Sequence, residues 1–179
     1  MKPEALTGWI SRVFGNARPK PPVAPEPVEH TGVLTRDRIA SYLAGRGYRY
    51  LVDEDGDLTG MWEGSRFWFL LLGEHHEIVQ IRGRWHRTLP VPQRSSVLLA
   101  ANDWNRERIW PKVYVREEDD ELALYSEVSV DLEHGATTSQ LGQLLACGLG
   151  TGVQMFTALD GLLPDASPGA PPADPPFPS

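Results

Sequence analysis

The side chains of this sequence that could take part in chemistry are a single cysteine and a short cluster of histidines and glutamates. Nucleophilic catalysis requires an activated serine, threonine or cysteine beside a base. Cys147 instead lies in an apolar helical stretch, which is typical of a small buried thiol. Residues 74–77, Glu-His-His-Glu, offer metal ligands, but adjacent histidines in a turn point in different directions. Neither feature predicts a catalytic or metal site.

Two further patterns resemble ligand-binding loops only superficially. Asp53, Asp55 and Asp57 surround Gly56, but a calcium loop has its glycine at another position and needs a distal glutamate. A solvated hairpin turn explains these acidic residues better. No Gly-rich phosphate loop follows a strand and opens a helix. We therefore expect no cofactor and predict that the protein is not an enzyme.

Composition and charge set the broad class of the protein. The chain has 179 residues, of which 41% are hydrophobic, and this fits one ordinary domain with additional segments. Its net charge of −7 disfavours nucleic acid, because phosphate contacts need a basic surface. No apolar run is long enough to cross a bilayer, and the first fifteen residues lack the apolar core of a secretory signal. A single cysteine excludes an intrachain disulfide, so a cytoplasmic location is expected.

The 16 prolines divide the chain into segments, because they concentrate in residues 18–30 and 163–179. Proline-rich stretches without apolar periodicity stay extended and unpacked. We predict a linker over residues 17–33, a folded domain over residues 34–163 and a disordered tail over residues 164–179.

Residues 1–16 have the spacing of a short amphipathic helix. An isolated helix of this length is marginal in water, so it needs a surface on which to dock. Either it packs on its own domain or frays, or it docks on a partner protein. A membrane surface is the weaker alternative, because only a pair of positive charges accompanies the apolar stripe. That stripe consists of Leu6, Trp9, Ile10, Val13 and Phe14.

The folded domain is predicted to be α+β, with its elements in the order α-β-β-β-β-α-β-β-α. Thr35 is a candidate N-cap for the first helix. Asp-Gly at residues 55–56 marks a hairpin, and Pro90 opens the inserted helix. Residues 137–140 have the pattern of a capping box at the start of the closing helix. The strands between these helices are expected to form an antiparallel sheet.

The stretch NDWNRERIWPKVYVREE, residues 102–118, is unusually rich in tryptophan and arginine. Asn105 is predicted to end the inserted helix, since asparagine tolerates the left-handed conformation. Trp110 precedes proline and is therefore expected to be extended. We interpret the stretch as a helix-to-strand junction with its tryptophans packed in the core.

Gly148 and Gly152 lie one turn apart in the closing helix. Glycine inside a helix costs about 1 kcal/mol relative to alanine. The pair therefore predicts either a break in the helix or another backbone that passes close by.

Strand alternation predicts that several arginine and aromatic side chains share the sheet face opposite the helices. Arginine and aromatic residues are enriched at protein-binding hot spots. The face therefore suits a partner protein or a dimer mate, and an ordinary solvated sheet face is the alternative. Its membership depends on strand register. The predicted residues are Trp68, Arg82, Arg84, Tyr114, Tyr125 and Glu127.

The domain also resembles the YbjN domain family. The resemblance covers nearly all of residues 34–163 and is specific, because order, spacing and unusual strings agree. The matching strings are LTRDRIASYLAGRGYRY, DGDLTGMW, RFWFLLLGE, IRGRWHRTLP, NDWNRERIWPKVYVRE, VSVDLEHGATTSQL and CGLGTG.

This resemblance implies a fold like that of type III secretion chaperones, a homodimer and no established enzymatic activity. The family is often labelled a sensory transduction regulator. Our first hypothesis is therefore a non-catalytic, chaperone-like or regulatory module that binds another protein. The alternative is a small-ligand sensor or enzyme with a pocket between the sheet and the inserted helix, near His86, Trp104 and Trp110. The partner and the pathway stay open.

Overall fold

The computed structural model of the chain describes residues 29–163 and 166–169. The predicted helix over residues 1–16, most of the predicted linker and most of the predicted tail lie outside these residues. The described part is α+β, as predicted, and its elements follow the predicted order with one short strand added at the end. They are α1 (Arg36–Gly45), β1 (Leu51–Val52), β2 (Leu58–Trp62), β3 (Ser65–Leu72), β4 (Ile78–Pro90), a 3-10 turn (Val91–Gln93), α2 (Arg94–Glu107), β5 (Lys112–Glu118), β6 (Glu121–Asp131), α3 (Thr138–Leu162) and β7 (Ser167–Pro168).

The strands form one antiparallel sheet in the order β1-β2-β3-β4-β6-β5. β7 falls within the segment predicted as a disordered tail. It pairs with Arg87 and Thr88 on β4, just past Arg84, the last β4 residue that pairs with β3. Glu29–Val33, assigned to the linker from the sequence, also contact the domain, since Gly32 pairs with Ala136 in an isolated bridge. The folded unit therefore extends slightly at both ends beyond its predicted bounds.

The three helices pack against one face of the sheet. α3 lies on β3, β4 and β6, α1 packs on α3, and α2 packs beside β5. All three contribute to a single apolar cluster with the inward side chains of the strands. Each fully buried large apolar side chain contributes about 1.5–3 kcal/mol. The members that are at most 2% exposed include Ile39, Leu43, Phe67, Phe69, Ile81, Trp85, Leu145 and Phe156.

The starts of α1 and α3 follow the predicted capping signals, whereas Pro90 opens the 3-10 turn and α2 itself begins at Arg94. The Thr35 hydroxyl accepts a hydrogen bond from the backbone N–H of Arg38, and Thr137 with Gln140 forms the complete capping box. These contacts satisfy N–H groups that have no partner within the helix.

The inserted helix α2 ends later than the sequence suggested. It continues to Glu107, so the prediction that Asn105 ends it is wrong. The reason is tertiary: the Asn105 side chain donates to the carbonyl of Val113 at 2.8 Å and accepts from its N–H at 2.8 Å. The indole N–H of Trp104 donates to the carbonyl of Pro111 at 3.0 Å. These hydrogen bonds connect the C-terminal end of α2 to the beginning of β5.

The closing helix α3 is continuous, and its glycines mark places where the sheet comes close. A Cβ atom on Gly148 would lie 3.0 Å from the side chain of Ile81. A Cβ atom on Gly152 would lie 2.7 Å from a ring carbon of Phe67 and 2.9 Å from the Ser126 hydroxyl. The helix does not break, and the nearest atoms belong to side chains of the sheet, so the predicted close approach of another backbone is wrong as well.

The two glycines at positions 150 and 152 of the same helix should respond oppositely to alanine. Gly152→Ala should lower the free energy of unfolding by about 1–2 kcal/mol, because overpacking outweighs the gain in helix propensity. Gly150→Ala should raise it by up to about 1 kcal/mol, since no atom lies within 4 Å of the added Cβ. Urea unfolding measures both changes, and equal shifts in the two variants would contradict the close packing.

Candidate protein-binding surfaces

Register places all six predicted face residues on the side of the sheet away from the helices. Trp68 on β3 pairs with Arg82 on β4, which pairs with Glu127 on β6. In the next row of the same face, Arg84 on β4 pairs with Tyr125 on β6, and Tyr125 pairs with Tyr114 on β5. We refer to these six residues as the sheet face.

Most of the sheet face is withdrawn from water. Trp68 and Tyr125 are 1% exposed, Arg84 is 4% exposed and Arg82 is 7% exposed. Tyr114 and Glu127 are half-buried. The alternative of an ordinary solvated face is therefore wrong for four of the six residues. The pattern of alternation predicts which side chains share a face, but it does not predict how deeply they are buried.

Charged groups on this face are paired with one another. Glu118, on the same side of β5, accepts a hydrogen bond from Arg84 Nε at 3.1 Å and another from the Tyr125 hydroxyl at 2.6 Å. Arg82 donates to Gln80 at 2.6 Å, and its Nε lies 3.7 Å from a carboxylate oxygen of Glu127. Sequence reasoning missed Glu118, although alternation along β5 from Tyr114 through Arg116 places it on this face.

Aromatic stacking and burial complete the sheet face. The rings of Tyr114 and Tyr125 are stacked with centroids 5.2 Å apart, and the Arg66 guanidinium lies 5.7 Å from the Trp68 ring centroid. Burial raises the pKa of Tyr114 to about 12 and also raises the pKa of Tyr125. Both phenols are protonated at neutral pH, as an ordinary tyrosine already is, and the Tyr125 hydroxyl donates to Glu118.

Two buried donors on this face have no hydrogen-bond partner among the described residues. They are the indole Nε1 of Trp68 and the guanidinium Nε of Arg82, on residues paired across β3 and β4. A buried donor left without an acceptor costs about 1–3 kcal/mol. The Arg82 Nε still lies within ion-pair distance of Glu127, at 3.7 Å, which offsets part of that cost.

A second surface lies on the helix side of the sheet, between α2 and the end of α3. It is a cavity of about 340 Å³, which we call the apolar groove. Its floor comes from the strands and its two walls come from the helices. The residues that line it are Leu89, Gln93, Ser96, Val97, Ala100, Ala101, Trp104, Val113, Leu124, Met155, Ala158, Leu159, Leu162 and Leu163.

The apolar groove lies between the sheet and the inserted helix, which is where the sequence suggested a pocket. Of the three residues named for that pocket, only Trp104 lines it. His86 points elsewhere, since its imidazole lies 3.5 Å from Asp160 and 3.3 Å from the Ser65 hydroxyl. Trp110 is half-buried at the start of β5, outside the groove lining. The other lining residues have the spacing of ordinary core residues, so no sequence signal separates them from the core.

Ser65 and Asp160 both lie close to the His86 imidazole, at 3.3 and 3.5 Å, but the potential metal ligands of the described residues do not form a cluster. Within residues 29–163 and 166–169, no group of three or more histidine, cysteine, aspartate or glutamate residues is placed to hold a metal ion. Cys147 is half-buried within α3. No described helix is long and apolar enough to span a membrane.

With this architecture in place, the chain can be compared with known proteins. The sequence profile of the YbjN family, described as "Putative bacterial sensory transduction regulator", matches residues 35–161. This match covers well over half of the chain, and the protein belongs to the YbjN family. No curated protein sequence matches the chain.

Among solved structures, the chain is similar to YbjN from E. coli, titled "a putative transcription regulator", with 12% identity and a TM-score of 0.63. That alignment covers 74% of this chain and 96% of the other, and at this identity it shows a shared fold.

Two type III secretion chaperones align at lower similarity. Yersinia pestis SycH, solved with a fragment of YscM2, has 14% identity and a TM-score of 0.44, with 69% of this chain and 98% of that chain covered. The chain from the HopA1–SchA chaperone–effector complex has 14% identity and a TM-score of 0.43, with 66% and 86% covered. These scores are too low to bear on function.

The acidic hairpin between β1 and β2 gives a pH-dependent test of the fold. The Asp53 carboxylate accepts a hydrogen bond from the backbone N–H of Asp57 at 2.7 Å, so it closes the turn. Partial burial and, secondarily, the nearby Asp53 charge raise the pKa of Asp57 to about 6. The pKa is higher in the folded chain than in the unfolded chain, so the folded state binds the proton more tightly. Stability attributable to Asp57 is therefore present near pH 4 and is lost as pH rises towards 7.

Asp57→Asn should remove the loss of stability that accompanies ionisation of Asp57 as pH rises. Because Asp57 is partly solvated, we expect a gain in the free energy of unfolding on the order of 1 kcal/mol at pH 7 and little change at pH 4. Urea unfolding at the two pH values measures it. Asp55→Asn, which removes an exposed charge in the same turn, is the control. A gain of the same size at both pH values would count against the raised pKa.

Proposed function

We propose that this protein is a non-catalytic binding module, chaperone-like or regulatory, that receives an apolar segment of another protein in the apolar groove. The observation that carries this proposal is the chemistry of the groove lining. Its described residues include no titratable side chain, and Ser96, Gln93 and Trp104 are the only ones with polar side-chain atoms. Such a lining binds apolar groups and provides no acid, base or metal ligand to react with them.

The shape of the groove supports a helical or extended peptide as the ligand. Its two walls are helices, and an amphipathic helix laid in such a groove buries residues at i, i+3 or i+4, and i+7. Burial of apolar surface yields about 25 cal/mol per Å², so a few large side chains supply useful affinity. The exposed Leu162 at the rim extends the apolar surface beyond the cavity.

We also propose that the protein acts as a homodimer in the cytoplasm. Exposed apolar side chains on and just after α2 support a self-contact, since Leu98, Leu99 and Ile109 are 40%, 67% and 81% exposed. Clusters of exposed apolar residues commonly mark protein interfaces. The single cysteine is compatible with a reducing compartment.

The sheet face is proposed as a second contact surface for a protein partner. Its arginine and aromatic residues are hot-spot types. Because four of its residues are buried, contact would begin at the half-buried Tyr114 and Glu127.

A small apolar ligand is the second candidate for the groove. Its volume of about 340 Å³ lies at the low end of the range of small-molecule sites. Thermal-shift screening separates the two candidates. Stabilisation by one class of apolar metabolite, in the absence of any protein partner, would favour the sensor function.

Two alanines on the outside of α3 offer a matched test of the groove. Ala158 lines the groove and is exposed, whereas Ala146 is exposed on the same helix outside it. Ala158→Glu places a charge in the apolar site and should weaken partner binding by about tenfold or more, while Ala146→Glu should leave it unchanged. The measurement is photocrosslinking in cells from a diazirine-bearing aliphatic residue at Leu162. Equal crosslink yields to the same partner from both variants would rule out the groove.

The sheet face is tested at its accessible edge. Replacement of Tyr114 by a photoreactive phenylalanine analogue preserves the ring that stacks on Tyr125. If a partner contacts this face, the analogue should form a crosslink to a defined protein, and the same analogue at the exposed Tyr48 should not. Identical products from the two positions would indicate non-specific contact.

A further inference from the structure

We infer that the apolar groove is occupied in cis by residues 1–16 of the same chain, which a partner must displace. This inference rests on the proposed function, because it names the competitor for the same groove. The occupant is chosen from the chemistry of the groove, the sequence of the segment and the point at which the described chain begins.

The groove and the segment are complementary in kind. The groove presents apolar side chains from two helices and three strands, with no charge among its described residues. The segment carries a stripe with the spacing of one helical face, at residues 6, 9, 10, 13 and 14. A free helix of this length is marginal in water, and burial of the stripe would supply the missing stability.

The described chain begins close to the start of α3, and this fixes the origin of the tether. The Glu29 carboxylate accepts a hydrogen bond from the backbone N–H of Ser139 at 3.1 Å, within the first turn of α3. Gly32 pairs with Ala136, and the Arg38 guanidinium donates to the carbonyls of both residues, at 2.6 and 2.7 Å. The chain therefore leaves the domain at one end of α3, whereas the groove lies at the other end.

The remaining chain is long enough to bridge that distance. From Ser139 to Met155 and Leu159, α3 advances by roughly 24–30 Å at about 1.5 Å per residue. Residues 17–28 are rich in proline, and extended chain of this kind spans about 3.1 Å per residue, or roughly 37 Å. A tether of this length keeps the segment near its own groove at an effective concentration on the order of millimolar.

Covalent capture in the full chain tests this arrangement. A diazirine-bearing aliphatic residue at Leu162, which lines the groove and is 76% exposed, should crosslink to residues 1–16. Ile10→Asp places a charge on the apolar stripe and should reduce that crosslink by about tenfold or more. Ser11→Asp, which introduces the same charge next to it but off the stripe, should leave the yield unchanged. The same probe at the exposed Leu51 should not capture the segment.

Isotope labelling distinguishes the possible occupants. In an equal mixture of nitrogen-14 and nitrogen-15 chains, docking in cis gives crosslinked peptides of a single label. Mixed labels would mean that a second copy supplies the segment, and this result would overturn the inference. Absence of crosslinks to residues 1–16 would overturn it as well.

The competition itself has a separate readout. Ile10→Asp should increase the fluorescence of the apolar probe 1-anilinonaphthalene-8-sulfonate several-fold, because the groove is vacated, and adding Ala158→Glu should reverse this increase. If the dye responds in this way and Leu162 captures no protein in cells, the proposed function fails while the cis contact stands. If Leu162 captures a partner equally in wild type and Ile10→Asp, the competition fails while the proposed function stands.

Discussion

The close packing of α3 on the central strands is the constraint on which the rest of this structure depends. Gly148 and Gly152 bring the helix backbone against Ile81 and Phe67, where a larger residue would collide. A helix seated this closely covers the middle of the sheet with few side chains, and α1 then packs on top of it. Because all three helices lie on one face, the other face has to satisfy its own polar groups. The fold is therefore asymmetric, with an apolar side built by helices and a polar, aromatic side built by strands.

That asymmetry determines how much of the structure follows from the sequence. Alternation along β3 to β6 predicts that Arg82, Arg84, Tyr125 and their neighbours share one face, and the strand register pairs them across neighbouring strands. Capping signals at Thr35 and Thr137 give the starts of two helices, because those contacts are local. Asn105 shows where local reasoning fails: its hydrogen bonds to Val113 are tertiary, and they hold residue 105 inside a helix that it was expected to end.

The apolar groove could not be predicted residue by residue for a related reason. Val97, Trp104, Met155 and Leu159 have the same spacing as core residues, and sequence periodicity reports only that a helix has an apolar stripe. Whether that stripe meets its neighbour or leaves a space depends on where α2 and α3 lie on the sheet, and these helices are far apart in the sequence. Only the location of a pocket between the sheet and the inserted helix was anticipated, and of its predicted residues Trp104 alone lines the groove.

The sheet face and the apolar groove suit different kinds of ligand. Their composition is also the reason for proposing a binding protein and not an enzyme. On the sheet face, Glu118 accepts hydrogen bonds from Arg84 and Tyr125, and burial raises the pKa of both Tyr114 and Tyr125. These polar groups therefore already interact with one another. In the groove, the described lining has no titratable side chain. An apolar groove open to water is costly unless something fills it, and a tethered amphipathic segment is the least demanding solution, since its association loses little translational entropy. A partner then has to compete with a ligand that is always present, and its affinity for the groove is reduced by the fraction of chains in which the groove is closed.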